Sequence, residues 1–433
     1  MVFIDVQIAG SKFHGKSSLT YAHDHKLPLG SIVEVPLGKA VALGVVTGTA
    51  TTSAVAAKPI ARVLEPWRLP KQCLELARWL QGYYPAPSGQ IYSLFIPNDL
   101  GRTARLAKAP AAATNAHLAV LPALNDDQAR VVETIETTPP DKSILLHGDT
   151  GTGKTRIYIE LARRTLESGR NVMILVPEIG LAPQLKRDFE QAFQDRVLLT
   201  HSGMTGSERR SVWQRANQTN VPVIMMGPRS ALFAPLDTVG LIVVDEAHEA
   251  AYKQEQAPYY DARRVASKLA KLHGARLVYG SATPLVSEYF MAEATGSPII
   301  RLTRQAASDT VHESSMAIVN LREKSEFSRS PQLSNALLDG ITDSLSRKEQ
   351  SLVFLNRRGT AKVVLCQNCG WQALCPNCDL PLTYHGDQHR LRCHTCGYHT
   401  TPRSSCPECG GVDLLFRSLG TKSIAEALTK LFP

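Results

Sequence analysis

The residues of this chain best suited to chemistry are its cysteines. Eight of the nine lie between Cys366 and Cys409, in four Cys-x-x-Cys pairs. A two-residue spacer lets both thiolates of a pair reach one ion, and four thiolates complete a tetrahedral zinc site. Eight thiolates therefore predict two bound Zn²⁺ ions. Iron–sulfur clusters also use cysteine thiolates, but evenly paired cysteines without an odd member favour zinc.

The four pairs can be matched in three ways. Only five residues separate the first two pairs, a short span for pairs that must face one ion. We therefore favour a nested arrangement of outer and inner pairs. The first zinc site then comprises Cys366, Cys369, Cys406 and Cys409, and the second comprises Cys375, Cys378, Cys393 and Cys396. The residue after each second cysteine is of a type that tolerates left-handed backbone. These residues are Gly370, Asp379, Gly397 and Gly410. Cys73 stands alone and is interpreted as a buried thiol.

A glycine-rich segment at residues 148–155 matches the pattern G-x-x-x-x-G-K-[ST], whose backbone N–H groups surround nucleotide phosphates. An apolar run at 144–146 precedes it, and a helical pattern at 154–166 adds the favourable dipole of a helix N-terminus. Lys154 is predicted to reach the β- and γ-phosphates, and Thr155 to ligate Mg²⁺. The predicted nucleotide-binding residues are Gly148, Asp149, Thr150, Gly151, Thr152, Gly153, Lys154, Thr155 and, with Asn125, the adenine-facing Gln128.

An acidic box, residues 245–248, follows an apolar run at 241–244. A carboxylate at the carboxyl end of a buried strand is placed to hold Mg²⁺, which is the role predicted for Asp245. Glu246 is predicted to polarise the attacking water, and His248 completes the catalytic set with Lys154 and Thr155. Taken alone, this tetrapeptide could be surface charge. The next strand ends at residues 280–284, where the hydroxyl groups of Ser281 and Thr283 are predicted to link the γ-phosphate site to DNA.

Composition and charge restrict the class of protein. The chain has 433 residues, of which 43% are hydrophobic and 20% charged, and its net charge of +9 favours a polyanionic partner. The first six residues carry an early acid, which argues against a signal peptide. No uninterrupted apolar stretch approaches the length of a membrane span. The expected location is the cytoplasm, where clustered cysteines bind metal more often than they form disulfides.

Short apolar runs alternate with helical stretches from Leu124 onward, which predicts a RecA-like α/β lobe with a parallel sheet. The fold class is therefore α/β, with a small, mostly β N-terminal DNA-binding domain and an inserted zinc-binding module. A second lobe, incomplete in this sequence, is predicted from a helix at 332–346 and a strand at 351–355. The predicted divisions are an N-terminal domain (1–103), a linker (104–123), lobe 1 (124–305), the start of lobe 2 (306–365), the zinc module (366–410) and the continuation of lobe 2 (411–433).

Together these motifs resemble the bacterial primosomal protein N′ (PriA) family of superfamily 2 DNA helicases. Residues 175–179 resemble its motif Ia, residues 227–235 its Gly-x-Arg-Ser-Ala signature, and residues 355–359 a helicase string. Residues 252–254, with Tyr260 and Arg263, resemble the loop that couples single-stranded DNA to hydrolysis. Without the family, Tyr252, Tyr259 and Tyr260 could equally be packing residues. The residues that the resemblance and the strand ends assign to DNA coupling are Arg229, Tyr252, Lys253, Gln254, Ser281, Thr283, Arg357 and Arg358.

The resemblance implies a 3′→5′ DNA helicase that uses ATP, Mg²⁺ and two Zn²⁺ ions and recognises stalled or abandoned replication forks. It also implies that the N-terminal segment binds the 3′ end of a nascent leading strand, and that the cysteines pair in the nested way. The implied partners are forked and single-stranded DNA, primosome and helicase-loading proteins, and single-stranded DNA-binding protein. The alternative is a helicase-deficient scaffold that binds forks and recruits these partners without unwinding.

Three departures from the family pattern bear on activity. Ala247 stands where the family commonly has a second glutamate, and the linker takes the place of a winged-helix domain. The late motifs that carry an arginine finger are expected after the last cysteine, where only Gly410 to Pro433 remain. An arginine finger contributes a factor of roughly 10³–10⁵ to the rate. The sequence therefore predicts nucleotide binding with little DNA-stimulated hydrolysis and no unwinding by these 433 residues alone.

Overall fold

The structure is a computed structural model. It describes residues 1–12, 18–52, 56–101, 123–149, 151–177, 183–302, 316–321, 323–355, 364–385, 388–415 and 421–432. The chain forms two compact units, Met1–Thr310 and Val311–Pro433. Among the described residues, no helix combines the length and the apolar character needed to cross a membrane.

The N-terminal part of the first unit is an antiparallel sheet. Its strands are β1 (Val2–Ile8), β2 (Leu19–His23), β3 (Ser31–Leu37), β4 (Ala40–Ala50) and β5 (Arg62–Arg68), in the order β2-β1-β4-β3-β5. Alternate side chains such as Ile4 and Val6 point into the core, as expected for a sheet with one covered face. Gly38 turns the chain between β3 and β4 with a φ of +62°, a conformation that a two-residue hairpin loop requires. Two helices follow, α1 (Lys71–Tyr83) and α2 (Ser88–Tyr92).

Lobe 1 is built on a seven-stranded parallel sheet, which confirms the predicted fold class. Its strands are β6 (Ser143–Gly148), β7 (Asn171–Leu175), β8 (Val197–Leu199), β9 (Ile224–Gly227), β10 (Val239–Val244), β11 (Arg276–Ser281) and β12 (Ile299–Leu302). Their order in the sheet is β12-β6-β11-β10-β7-β9-β8. The helices are α3 (Asp126–Thr137), α4 (Lys154–Glu167), α5 (Pro183–Phe193), α6 (Gly206–Gln218), α7 (Ala262–His273) and α8 (Val286–Thr295). Every residue of β10 is buried, because helices cover both faces of a parallel sheet.

One hydrophobic core joins the N-terminal sheet, α1 and α2 to lobe 1. Phe95 and Phe233 meet edge to face at 5.1 Å between ring centroids, and the indole Nε1 of Trp213 donates a hydrogen bond to the carbonyl of Phe95. Arg210, which is buried, forms an ion pair with Asp99. The N-terminal part and lobe 1 therefore pack against each other within the first unit, and their division into two domains stays a prediction. The proposed linker lies outside the described residues, except for Ala123.

The second unit contains short elements. They are α9 (Asn335–Ser346), β13 (Leu365–Cys366), β14 (Thr383–His385), β15 (Arg390–Arg392), β16 (His399–Thr400), β17 (Leu414–Leu415) and α10 (Thr421–Leu431). The helix predicted at 332–346 is present as α9. The strand predicted at 351–355 is wrong, since this segment has no strand neighbour within the described parts of the chain. Its apolar pattern reflects packing on one side only: Val353 contacts the small core around Leu338, whereas Leu352 is 94% exposed.

Candidate functional site

The phosphate loop lies between the end of β6 and the start of α4. Gly151 and Gly153 adopt φ values of +86° and +85°, which glycine reaches without strain. The Lys154 side chain is 9% exposed, and its Nζ donates a hydrogen bond to the carbonyl of Gly148 at 2.5 Å. The Thr152 hydroxyl donates to the carbonyl of Asp149 at 2.8 Å. Among the described residues, no side chain caps the first turn of α4 at this loop, and a helix N-terminus of this kind binds phosphate in other nucleotide sites. Thr150 lies outside the described residues.

Asp245 lies directly after β10 and is fixed by two tyrosines. The fully buried Tyr158 donates a hydrogen bond from its hydroxyl to Oδ1 of Asp245 at 3.0 Å. The hydroxyl of Tyr252 donates to the Asp245 carbonyl. Tyr158 reaches Asp245 only because residue 280 is glycine, since a Cβ there would lie 1.7 Å from the Tyr158 hydroxyl oxygen. The motifs predict neither the contact of Tyr158 with Asp245 nor the space that Gly280 leaves for it. The signal for Tyr158 was its position four residues after Lys154, on the same face of α4.

The charges around Asp245 favour a cation beside it. Burial and the neighbouring Glu246 raise the pKa of Asp245 to about 6, whereas the hydrogen bond from Tyr158 and the charge of Lys154 act to lower it. A bound divalent cation would favour the carboxylate, because it is the largest local charge in such a site. Glu246 itself has a φ of +45°, an unusual value for a residue with a side chain, and strain of this kind occurs at functional sites. The donor set of Asp245 and Thr155 therefore fits a hard cation such as Mg²⁺.

His248 connects the acidic box to the end of β11. Its Nδ1 lies 2.8 Å from the hydroxyl oxygen of Ser281, which is completely buried. The same hydroxyl oxygen accepts a hydrogen bond from the backbone N–H of Thr283 at 3.0 Å. His248 also approaches Glu246, with Nδ1 and Oε2 3.5 Å apart. Residues from two neighbouring strand ends are thus linked, as parallel strands that end at one edge of a sheet allow.

Gln128, the residue predicted to contact adenine, has a different hydrogen-bond partner in this structure. Gln128 is 4% exposed, and its side-chain oxygen accepts the backbone N–H of Asn125 at 3.1 Å. Asn125 in turn accepts the backbone N–H of Gln128 at 2.8 Å, so the pair forms a capping box at the start of α3. The side chain of Gln128 thus has a structural role at a helix end. Its contact with adenine stays a prediction.

The residues assigned to DNA coupling fall into buried and exposed groups. Arg229 donates to the side chain of Gln254 and to the carbonyl of Ala251, both at 2.6 Å. Tyr252 is completely buried in this structure, so its ring is not exposed to a base, and its role in DNA coupling stays a prediction. Lys253 is exposed. Arg357 and Arg358 lie outside the described residues.

A cleft of about 1280 Å³ opens between lobe 1 and residues 93–99 of the N-terminal part. Arg229, His201 and Gln254 line its lobe 1 side, and Asn98 lines the other. Arg229 and Gln254 supply hydrogen-bond donors to this cleft, and His201 supplies an imidazole. The cleft therefore places part of the predicted DNA-coupling set beside the N-terminal part of the chain.

The eight cysteines form two groups, each with its sulfur atoms within 4.8 Å of one another. One group is Cys366, Cys369, Cys406 and Cys409, and the other is Cys375, Cys378, Cys393 and Cys396. This is the nested grouping that the spacing favours. Sγ–Sγ distances of 3.5 and 3.6 Å occur in these groups, close to the roughly 3.8 Å expected of thiolates held tetrahedrally about 2.3 Å from zinc. The residue after each second cysteine adopts a left-handed backbone conformation, as predicted. The φ values are +78° for Gly370, +52° for Asp379, +79° for Gly397 and +69° for Gly410.

A parallel sheet that carries a phosphate loop after one strand and an acidic box after another defines the nucleotide-binding lobe of a helicase. The DEAD/DEAH box helicase family matches residues 125–289. The 3′ DNA-binding domain of the PriA family matches residues 3–97, and the Cys-rich region domain of PriA DNA helicase matches residues 375–400. The chain belongs to the PriA family.

Curated relatives named replication restart protein PriA support this assignment. The chain is 37% identical to the Bacillus subtilis protein over 72% of this chain and 38% of the relative. It is 38% identical to the Haemophilus influenzae protein over 67% of this chain and 39% of the relative. It is 31% identical to the Treponema pallidum protein over 96% of this chain and 64% of the relative. The matched region thus spans between about two fifths and two thirds of the length of these relatives.

Proposed function

We propose that this protein is an ATP-dependent 3′→5′ DNA helicase that recognises stalled or abandoned replication forks, remodels them and promotes primosome assembly. The observation that carries the proposal is that Lys154 and Asp245, 91 positions apart in sequence, follow β6 and β10 of the lobe 1 sheet, where the charge of Lys154 acts to lower the pKa of Asp245. Curated relatives named for replication restart supply the biological context.

The chain's own residues have distinct roles in this proposal. Lys154 binds the β- and γ-phosphates, while backbone N–H groups of the phosphate loop bind their oxygens. Thr155 and Asp245 would hold Mg²⁺, which neutralises phosphate charge when bound. Glu246 orients and polarises the attacking water. His248 transmits the state of the nucleotide to Ser281, because the two side chains share a hydrogen bond.

The proposed substrate is DNA with a free 3′ end. The match of residues 3–97 to a 3′ DNA-binding domain supports this choice, and the cleft beside residues 93–99 offers a path from that domain to lobe 1. Primosome and helicase-loading proteins, single-stranded DNA-binding protein and a cytoplasmic location are part of the same proposal. So are the division of the chain into six segments and the assignment of Lys253, Gln254 and Thr283 to DNA coupling.

Directional partial duplexes test the proposal with the whole chain, because residues 1–103 share a core with lobe 1 and are not expected to fold alone. Binding of a magnesium complex of a fluorescent ATP analogue, and of duplexes with a 3′ or a 5′ overhang, is measured first. We expect nucleotide binding that Lys154→Ala weakens strongly, and tighter binding to a 3′-hydroxyl end than to a 3′-phosphate. In a protein with both lobes, only the duplex with the 3′ overhang is expected to be unwound.

Two results would contradict the proposal. Equal affinity for 3′-hydroxyl and 3′-phosphate ends would leave only phosphate-backbone contacts, which weaken steeply with salt. Fork binding and partner recruitment that are the same in wild type and Lys154→Ala, with no nucleotide bound by either, would favour the scaffold alternative.

A further inference from the structure

Tyr84 is the point where the N-terminal part touches the segment that follows the acidic box. It lies at the C-terminal end of α1 and is 8% exposed, and its hydroxyl oxygen accepts the backbone N–H of Asp261 at 3.1 Å. The Nζ of Lys253 lies 5.8 Å from the centroid of the Tyr84 ring, within the range of a cation–π contact. Tyr84 therefore contacts both ends of the segment 253–261.

The two ends of this segment are themselves joined. Lys253 and Asp261 form an isolated antiparallel bridge, and the Lys253 ammonium donates to the carbonyl of Tyr259. Gln254 donates its backbone N–H to the carbonyl of Tyr260 at 2.8 Å. The segment is thus a closed loop, and Tyr84 contacts it where the loop closes.

Asp261 is connected to the acidic box by hydrogen bonds through Arg263. Its carboxylate caps α7 and accepts hydrogen bonds from Arg263 at 3.0 Å (Nε) and 2.7 Å (Nη2). The other guanidinium nitrogen, Nη1, donates to the carbonyl of Ala247 at 3.1 Å. The backbone N–H of Ala247 donates to the carbonyl of Gly280 at 2.9 Å, at the end of β11. Arg263 also lies 3.7 Å from Glu288 of α8.

We propose that Tyr84 is a positioning residue for the nucleotide site, acting through Asp261 and Arg263 on the backbone of the acidic box. DNA held by the N-terminal part then changes nucleotide affinity, because both ligands act on one connected set of contacts. By linkage, nucleotide changes DNA affinity by the same factor. The inference rests on the proposed function, since it needs a chain that binds both ligands.

The test measures this factor directly in the full chain. The dissociation constant of a fluorescent ATP analogue with Mg²⁺ is determined without DNA and with a saturating partial duplex bearing a 3′-hydroxyl end. For wild type we expect the two constants to differ by at least about 5-fold, the lower end of typical coupling between sites. In Tyr84→Phe, which keeps the ring and removes the hydrogen-bond acceptor, the factor is expected to fall towards 1.

Matched variants separate positioning from general stability. Tyr83→Phe removes a neighbouring hydroxyl from a ring that is 49% exposed, and is expected to keep the wild-type factor. Arg263→Lys disrupts the hydrogen bonds that join Asp261 to the Ala247 carbonyl, so it breaks the same connection as Tyr84→Phe at a later point. The double variant should therefore lose no more coupling than either single variant. Melting temperatures of all variants are recorded, since a merely structural role would lower stability without changing the factor.

The possible failures are distinguishable. If wild type binds neither ligand, the proposed function fails and the inference fails with it. If both ligands bind and the wild-type factor is 1, or if Tyr84→Phe retains the full factor, the inference alone is wrong.

Discussion

Lobe 1 and the cysteine module form their structures by different means. One of the two hydrophobic cores of lobe 1 contains 24 buried residues drawn from strands and helices, enough to hold the sheet by burial alone. The core of the cysteine module has six buried residues, and two of them are the metal-ligating Cys375 and Cys393. Domains this small usually depend on a metal or on disulfides. Burial therefore folds lobe 1, whereas metal binding folds the module.

Removal of zinc is expected to give the largest difference between these regions. Binding of a structural zinc contributes on the order of 10–16 kcal/mol in small zinc-binding peptides at neutral pH. A strong chelator should remove two zinc equivalents and make the module susceptible to protease, while lobe 1 keeps its melting transition. Metal analysis with limited proteolysis checks both results.

Single cysteine variants sharpen this prediction. Cys375→Ser should release one zinc ion and leave the outer site mostly filled, whereas Cys73→Ala should leave two ions bound. A zinc content of one or less in folded wild type would contradict the prediction of two ions, and loss of both ions from Cys375→Ser would mean that the outer site cannot hold its ion without the inner one.

Substitution of the phosphate-loop lysine should affect lobe 1 and leave the cysteine module unchanged, the opposite of zinc removal. Lys154→Ala removes a charge-assisted hydrogen bond worth about 1.5–3 kcal/mol, so nucleotide affinity should fall by roughly 10- to 100-fold. The module should still hold two zinc ions, as metal analysis would report. Lys271→Ala, at an exposed position in α7, is the control and should bind nucleotide normally. Unchanged affinity in Lys154→Ala would mean that the loop is not the nucleotide site.

Packing in the first unit is tested at two glycines, Gly280 in β11 of lobe 1 and Gly82 in α1 of the N-terminal part. Gly280→Ala would place a methyl group against Tyr158, and overpacking of this kind costs about 1–3 kcal/mol. We expect a lower melting temperature for the first unit and weaker nucleotide binding. Gly82→Ala in α1 meets no atom within 4 Å and should be neutral or stabilising by up to about 1 kcal/mol. Equal melting temperatures for these two variants would show that Tyr158 moves aside at no cost.

Acid should weaken lobe 1 through a histidine at the end of α7. Burial and the charge of Arg170 lower the pKa of His273 to about 4, below its usual value of 6.5. Its Nδ1 accepts the backbone N–H of Val239 at 3.3 Å, which requires the neutral ring. The contribution of His273 is therefore complete above pH 6.5 and is lost as the pH falls through 6.5 towards 4.

Urea unfolding at pH 7.5 and pH 5 measures this loss of stability. It is expected to be smaller than the effects of zinc removal, of Lys154→Ala and of Gly280→Ala. His273→Gln cannot be protonated, so it should lose less stability than wild type between the two pH values. His25→Gln, in the N-terminal part and exposed, should behave as wild type. A variant His273→Gln with the same pH dependence as wild type would contradict the assignment.

The sequence predicts those features of the site that depend on local pattern. The phosphate loop, the acidic box and the left-handed residues Gly370 and Asp379 are local, because spacing and residue type set them within a few positions. The contact of Tyr158 with Asp245 is not local, since it depends on the missing Cβ of Gly280, 122 residues away from Tyr158. The strand predicted at 351–355 also depends on distant residues, because a strand forms only beside another strand and none pairs with this segment in the described parts of the chain.

The packing of the N-terminal part on lobe 1 shows a second limit of sequence-based prediction. The apolar residues of α1, such as Leu76 and Leu80, have the helical spacing of any buried face. Spacing reveals that a face is covered, but not which surface covers it. In this protein lobe 1 covers it, and Trp213 and Phe233 could be assigned to that contact only after the fold was known.

The nested cysteine sites imply an order of assembly. Closing the outer site brings together Cys369 and Cys406, with the whole inner site between them. If the inner site is empty, this closure restricts a long free chain, and the entropic cost of a loop grows with the logarithm of its length. Once Cys378 and Cys393 share an ion, most of that chain is already ordered, and the outer site closes a much shorter effective loop. We therefore expect the inner ion to bind first during folding and the outer ion to leave first under chelation.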